Sequence, residues 1–376
     1  SEGIHISNAI VTGSATIYSG QTATGMTLRT GESMGVGGTA NDTTINSGGY
    51  MNVSHGGSAN STTINSGGCI HVYWNGTANS NTINSGGCMG VYWNGTANNN
   101  TVNDGGSMTV SEGTASNTTV NSGGCMGVFS GNVNSTTVNS GGCMTVFTSG
   151  SANSTTVKAG GAINGFTLQT DNFYSEGIHI SNAIVTGSAN LYSGQTANRT
   201  TVNDGGYMNV GEYMKVGGTA NSTTVNDGGY MNVSYGSATN TTVNDGGYMN
   251  VGLGGTAIST TICSNGGMTL NGSHNGIYDK PFANAIATTV YAGGWMSVRF
   301  GTATSTTINS GGHMSVIYGG TANSTTVNDG GYMNVGGDMK VSSGCTANST
   351  TVNSGGSIHV YWNGTANSNT VNSGGS

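Results

Sequence analysis

The chain has 376 residues, of which 69 are Gly and one is Pro, and charged residues make up only 6%, against roughly a quarter in ordinary globular proteins. Apolar residues reach 34%, too few for a conventional multi-layer core of this size, while the lack of Pro and charge argues against disorder. The formal net charge is −7, and the seven Lys and Arg are scattered from Arg29 to Lys340; with no basic patch to neutralise phosphates, no nucleic-acid partner is expected.

The first element along the chain is Ser1 to Ala15, made apolar by Ile4, Ile6, Ile10 and Val11. It recurs identically as Ser175 to Ala189, and Tyr18 to Ala23 recurs as Tyr192 to Ala197. Of a bend, an internal cap and a variant coil, we read this block as a variant coil. The organisation expected is a single β-solenoid over 1–376, with a duplication of 1–23 at 175–197 and a loop insertion around 271–283. The opening at Ser1 without Met and the stop in mid-repeat at Ser376 read as an excised or processed segment of something longer. No apolar run approaches the roughly 18 residues needed to cross a bilayer, so no transmembrane segment is expected.

From there a short repeat dominates, and fixed-period self-similarity is the mark of a solenoid. One coil runs from Tyr50 to Gly68, and the next begins at Cys69. The β-branched residue before Asn falls at Ile45, Ile64, Ile83, Val102, Val120, Val138 and Val157, then again from Val202 to Val371. The steps in the first run are 18 or 19 residues.

Each coil shows two strand-like pieces. In Tyr50-Met51-Asn52-Val53 the apolar residues sit two apart and share a face. In Ser61-Thr62-Thr63-Ile64 the β-branched residues favour extended backbone, with Thr62 and Ile64 on the face opposite Thr63. Asn-Ser-Gly-Gly and a second Gly-Gly lie between, and Asn and Gly tolerate positive φ, so both are corners. Such short strands bury a face only when stacked coil on coil, Met on Met, Val on Val, and Ala40 on Ala59, Ala78 and Ala97. Helical solenoids are excluded, because nothing recurs at helical spacing and Gly-Gly twice per coil would ruin a helix. Three steps are longer than a coil: Val202 to Val225, Ile262 to Val290 and Val327 to Val352. We expect surface loops there.

Little in the chain suggests chemistry. Cys69 and Cys88 share a coil position one coil apart, as do Cys125 and Cys143, with Ser107 between the pairs. Stacked Cα atoms about 4.8 Å apart lie within disulfide range. Inert stacked thiols, rung-to-rung disulfides and a metal site all remain open, although no Cys-x-x-Cys or paired His completes a zinc site. The seven histidines are dispersed and read as lone surface residues. Asp104 and its equivalents alternate with Ser in Asn-Asp-Gly-Gly, which favours a turn role. Asn46, Asn65, Asn84, Asn103, Asn121 and Asn139 can form an amide ladder. The hydroxyls of Thr44, Thr63, Thr119, Thr137 and Thr156, with Ser47, Ser66, Ser85, Ser122 and Ser140 at the corner, form outward columns. These are either simply solvated, densely O-glycosylated, or hydrogen-bonded to a partner surface. No catalytic set, metal site or cofactor is expected; the chain reads as no enzyme.

Gly-Gly-Thr-Ala-Asn-Ser-Thr-Thr-Val-Asn-Ser-Gly-Gly recurs with small variations at Gly37 to Gly49, Gly217 to Gly229, Gly319 to Gly331 and Gly344 to Gly356. This resembles the passenger repeats of AIDA-type self-associating autotransporter adhesins, the family that includes antigen 43. The resemblance implies an all-β fold, a right-handed parallel β-helix (β-solenoid) of about 19-residue coils, on the outer surface of a Gram-negative bacterium. It also implies homophilic self-association, adhesion to host or bacterial surface glycans, biofilm formation, and O-linked heptose added to Ser and Thr by a glycosyltransferase. The alternative from a different class is a structural filament or surface-layer subunit built of stacked solenoids.

Overall fold

The computed structural model describes residues 4–147, 149–158, 160–166, 179–191, 195–211, 217–272, 282–336 and 344–376. All of its regular structure is strand. Each coil contributes three short strands rather than the two expected. In the coil that starts at Tyr50 they are Tyr50–Val53, Ser58–Asn60 and Thr63–Ile64. The Ser58–Asn60 segment becomes a strand of its own because Ser61 adopts φ 55° and turns the chain before Thr63.

Strands pair in parallel with their equivalents in neighbouring coils, giving three sheets named here for their inward residue. In the methionine sheet Met51 pairs with Ile70 and Val53 with Val72. In the alanine sheet Ala59 pairs with Ala78, and in the valine sheet Ile64 pairs with Ile83. Met51, Val53, Ala59 and Ile64 are all fully buried, and so is Thr62. A thin core of stacked columns therefore replaces a layered one, which explains how so few apolar residues suffice.

Corners keep the backbone satisfied. Asn65 to Gly68 is a type II β-turn, with Gly67 at φ 73° and the Gly68 N–H donating to the Asn65 carbonyl at 2.8 Å. A Cβ on Gly68 would also lie 2.6 Å from the Ile45 carbonyl oxygen. Ser54 to Gly57 is a type I′ turn, with His55 at φ 53° and Gly56 at φ 80°. Strand N–H groups donate back to the preceding coil, as Cys69 does to Gly49 at 3.1 Å. At each corner a left-handed residue reverses that direction. His55 donates forward to Trp74 (3.0 Å), Ser61 to Asn79 (2.9 Å) and Gly67 to Gly86 (2.8 Å). A left-handed residue at every corner thus carries the hydrogen-bond ladder around the coil.

The chain divides into two compact units, 1–188 and 189–376. In the first, the apolar block forms coils of its own kind: Ile6 takes the alanine position opposite Ala23. In its second copy Ile180 pairs with Ala152 and Val185 with Val157. Asn8 and Asn182 adopt the left-handed corner that Ser61 holds elsewhere. Val185 is therefore a member of the valine column that the sequence period alone passes over.

In the second unit all three long steps leave the register intact. Val202 pairs with Val225, Ile262 with Val290 and Val327 with Val352. The loops expected within these steps lie mostly outside the described residues. Most of the insertion expected around 271–283 lies outside the described residues; Gly267–Asn271 and Ala283–Ile286 are ordinary strands on either side of it.

Candidate functional surface

Alternation in each strand sends one residue in two outward, and stacking aligns these into columns. On the valine sheet Thr44, Thr63, Thr82, Thr101, Thr119, Thr137 and Thr156 stand in register, each half-buried by its neighbours. Corner residues Ser47, Ser66, Ser85, Ser122 and Ser140 are exposed, with Asp104 in the same column. Sequence reasoning missed a further exposed hydroxyl column at the left-handed corner: Ser61, Ser80, Ser135 and Ser154. Its signal was interchange of Ser with Asn, as at Asn99 and Asn117, since Asn tolerates that backbone region.

The amides are less free than the hydroxyls. Asn65 donates to Asn46 (2.9 Å), Asn84 to Asn65 (3.0 Å), Asn103 to Asn84 (3.0 Å), Asn121 to Asn103 (2.8 Å) and Asn139 to Asn121 (2.7 Å). This is the ladder expected from the sequence. A second runs along the alanine sheet, where Asn60, Asn79 and Asn98 each donate one coil back at 2.9 to 3.1 Å. A third, in the second unit, links Asn209, Asn232 and Asn250 at 2.8 and 2.7 Å. Each amide spends one donor and one acceptor on the stack, whereas the corner hydroxyls face solvent.

Four of the six cysteines and a run of stacked aromatic rings lie on the methionine sheet. Cys69 and Cys88 form a disulfide between adjacent coils, their Cα atoms 4.7 Å apart. Cys125 and Cys143 stand opposite one another in the same column, both free. Burial pushes the Cys125 thiol pKa up, and the neighbouring Cys143 thiol adds to the shift. His71 is not the lone surface histidine expected: its Nδ1 lies 2.6 Å from the Tyr50 hydroxyl, and its ring meets Tyr92 edge-on. Burial lowers its pKa, as it does for His313, which stacks on Tyr332. Tyr207, Tyr230, Tyr248 and Trp295 form an aromatic column at centroid spacings of 5.1, 5.4 and 5.8 Å. Trp74 and Trp93 stack in consecutive Tyr-Trp-Asn-Gly turns and remain about half exposed.

Among the described residues no three His, Cys, Asp or Glu side chains gather as a metal site would require, and no helix is long and apolar enough to cross a membrane. What the residues build is a repeated, nearly uncharged face of hydroxyls and amides on a rigid ladder. Its backbone is a β-solenoid of stacked coils.

Comparison with known proteins narrows the class. The family described as adhesin of bacterial autotransporter system, probable stalk, matches residues 92–142. The crystal structure of a TibA fragment hyper-glycosylated by TibC catalysis is 33% identical, covering 94% of this chain and 99% of the fragment, with a TM-score of 0.47. The Dettilon tailspike protein is 12% identical, over 83% of this chain and 61% of its own, with a TM-score of 0.23, a superposition too loose to carry an argument. No curated protein sequence matches the chain. The placement rests on sequence identity along nearly the whole length, not on superposition. This chain belongs to the AIDA-type autotransporter adhesins and is a passenger of that family.

Proposed function

We propose that the chain is a non-enzymatic, self-associating adhesin passenger on the bacterial cell surface, with O-linked sugars on its outward Ser and Thr. The observation that carries this reading is the column of exposed corner serines, repeated coil after coil at an interval of one strand spacing. A glycosyltransferase acting on Ser and Thr meets the same backbone corner at every coil, so one specificity serves many sites. Hyper-glycosylation of the TibA fragment by TibC supports the same chemistry here. Exposure favours Ser47, Ser66, Ser85, Ser122 and Ser140, with Ser61, Ser80, Ser135 and Ser154, over the half-buried Thr column. Thr44, Thr63, Thr119, Thr137 and Thr156 serve better as hydrogen-bonding groups for a partner.

That partner is a second copy of the chain. Single contacts between uncharged polar groups are weak, but a regular array makes them add through multivalency. The same face suits neutral surface glycans on host or bacterial cells. Two measurements test the reading together. Intact mass of protein produced with and without a Ser/Thr glycosyltransferase should rise above 37.4 kDa in sugar-sized steps only with the enzyme. Replacing Thr63, Thr82, Thr101 and Thr119 with Val should slow the settling of cells that display the chain. Unchanged settling with a folded variant would overturn self-association through this face.

A further inference from the structure

We propose that Cys125 and Cys143 are a second disulfide site, closing between adjacent coils as Cys69 and Cys88 do. The proposal stands on register. Cys69 and Cys88 occupy the first position of neighbouring methionine-sheet strands, pair directly, and are bonded with Cα atoms 4.7 Å apart. Cys125 and Cys143 occupy that same position on neighbouring strands and pair directly in the same parallel sense. Parallel strands fix this spacing at about 4.8 Å, inside the range a disulfide spans.

The same register excludes cross-pairing. Ser107 stands between the pairs, opposite Cys88 on one side and Cys125 on the other. Cys88 and Cys125 are therefore two rungs apart, about 9.6 Å, beyond the roughly 7 Å that a disulfide tolerates without backbone movement. Each pair can close only on itself.

The oxidant is a small-molecule disulfide, such as oxidised glutathione. Cys125 is the more exposed thiol, so its thiolate attacks one sulfur of the oxidant and releases one glutathione thiolate. Cys143, deprotonated in turn, attacks the Cys125 sulfur, forms the Sγ–Sγ bond and expels the second glutathione. Two S–H bonds of the protein are lost and two glutathione thiols are gained, so electrons and protons balance. The raised pKa of Cys125 makes the first attack slower at neutral than at alkaline pH.

The test uses the full chain, fully reduced, incubated with oxidised glutathione at alkaline pH, then alkylated and digested with chymotrypsin. Trp74 separates Cys69 from Cys88, Tyr92 separates Cys88 from Cys125, and Phe129 separates Cys125 from Cys143, so every linkage yields a distinct pair of peptides. The expected result is a Cys125–Cys143 linked pair and two hydrogens fewer per bridge in the intact mass. Cys125→Ser should then leave Cys143 open to alkylation; Ser107 already occupies that column, so the variant should fold. Alkylation of both Cys125 and Cys143 after oxidation, a persistent glutathione adduct on either, or a Cys88–Cys125 linked peptide would each overturn the proposal.

Discussion

The Tyr50 hydroxyl and His71 Nδ1 lie 2.6 Å apart across neighbouring coils, and the two rings meet edge to face at a centroid distance of 5.0 Å. Burial lowers the His71 pKa below its ordinary value near 6.5 and does the same for His313. A folded pKa below the unfolded one means that, as the pH falls, the native state takes up fewer protons than the unfolded state. Stability from this source is complete above about 6.5 and is lost as the pH drops from there through the lowered folded values. Urea midpoints should therefore fall between pH 7.5 and pH 5. H71N with H313N should flatten that slope, and an equally steep slope in the double variant would contradict the assignment.

Asn84 both donates to Asn65 and accepts from Asn103, each at 3.0 Å. Asn84→Ala removes two partly buried hydrogen bonds and should cost about 1–3 kcal/mol in chemical unfolding. Asn84→Asp is expected to be worse at neutral pH, because the charged carboxylate can accept from Asn103 but meets only an oxygen at Asn65. Native burial raises that carboxyl's pKa, so the Asp variant should regain stability as the pH falls through it. A variant insensitive to pH would show that the ladder does not hold position 84.

Much of this arrangement was legible before any coordinates. The period, the Met, Val and Ala columns and the Asn46 to Asn139 ladder follow from residues whose chemistry repeats without exception of role. The third strand was not legible, because Ser58-Ala-Asn-Ser-Thr-Thr-Ile64 reads as one extended run. What divides it is the φ of Ser61, and Ser carries no strong marker for a left-handed corner. The Tyr50 to His71 contact was hidden for a different reason. It joins position one of a strand to position three of the next, a diagonal that the repeat period does not bring into line. Val185 was missed because Ile184 stands where Thr stands and Thr186 where Asn stands in most coils, so the motif lost its pattern while keeping its register.

Thr136 is fully buried, and its hydroxyl has no hydrogen-bond partner, like those of Thr118 and Thr155 in the same column. Where the column holds Asn the side chain is used: the Asn81 Oδ1 accepts from the Thr62 N–H at 2.6 Å, and the Asn100 Oδ1 from the Asn81 N–H at 2.8 Å. Thr136→Val keeps the shape and removes an unpaired polar group, so it should be neutral or stabilising by up to about 1 kcal/mol. Thr155→Asn should stabilise as well, by supplying an acceptor to the Thr136 N–H. Equilibrium unfolding decides both; a clear loss in the Val variant would mean the hydroxyl is bonded.

Gly68 tests whether the corner or the core sets the coil's dimensions. Its φ is not in the left-handed region, so backbone preference does not require glycine there. Space does, since an added Cβ would lie 2.6 Å from the Ile45 carbonyl oxygen and 3.0 Å from the Ile45 side chain. Those neighbours belong to the coil beneath, and neither can rotate away, because the carbonyl accepts the Asn65 N–H at 2.8 Å. Gly68→Ala should therefore push two rungs apart and cost about 1–3 kcal/mol, as overpacking does. Gly67→Ala at the adjacent position should also destabilise, chiefly through the strain of φ 73° on a residue with a Cβ, since its nearest neighbour at 2.9 Å is the hydroxyl of the exposed Ser47 side chain. Gly67→Asn separates the two causes: Asn tolerates left-handed backbone, so it should recover part of the loss, whereas Gly68→Asn should recover none. Equal damage from both Asn variants would show that close approach, rather than backbone conformation, governs the whole corner.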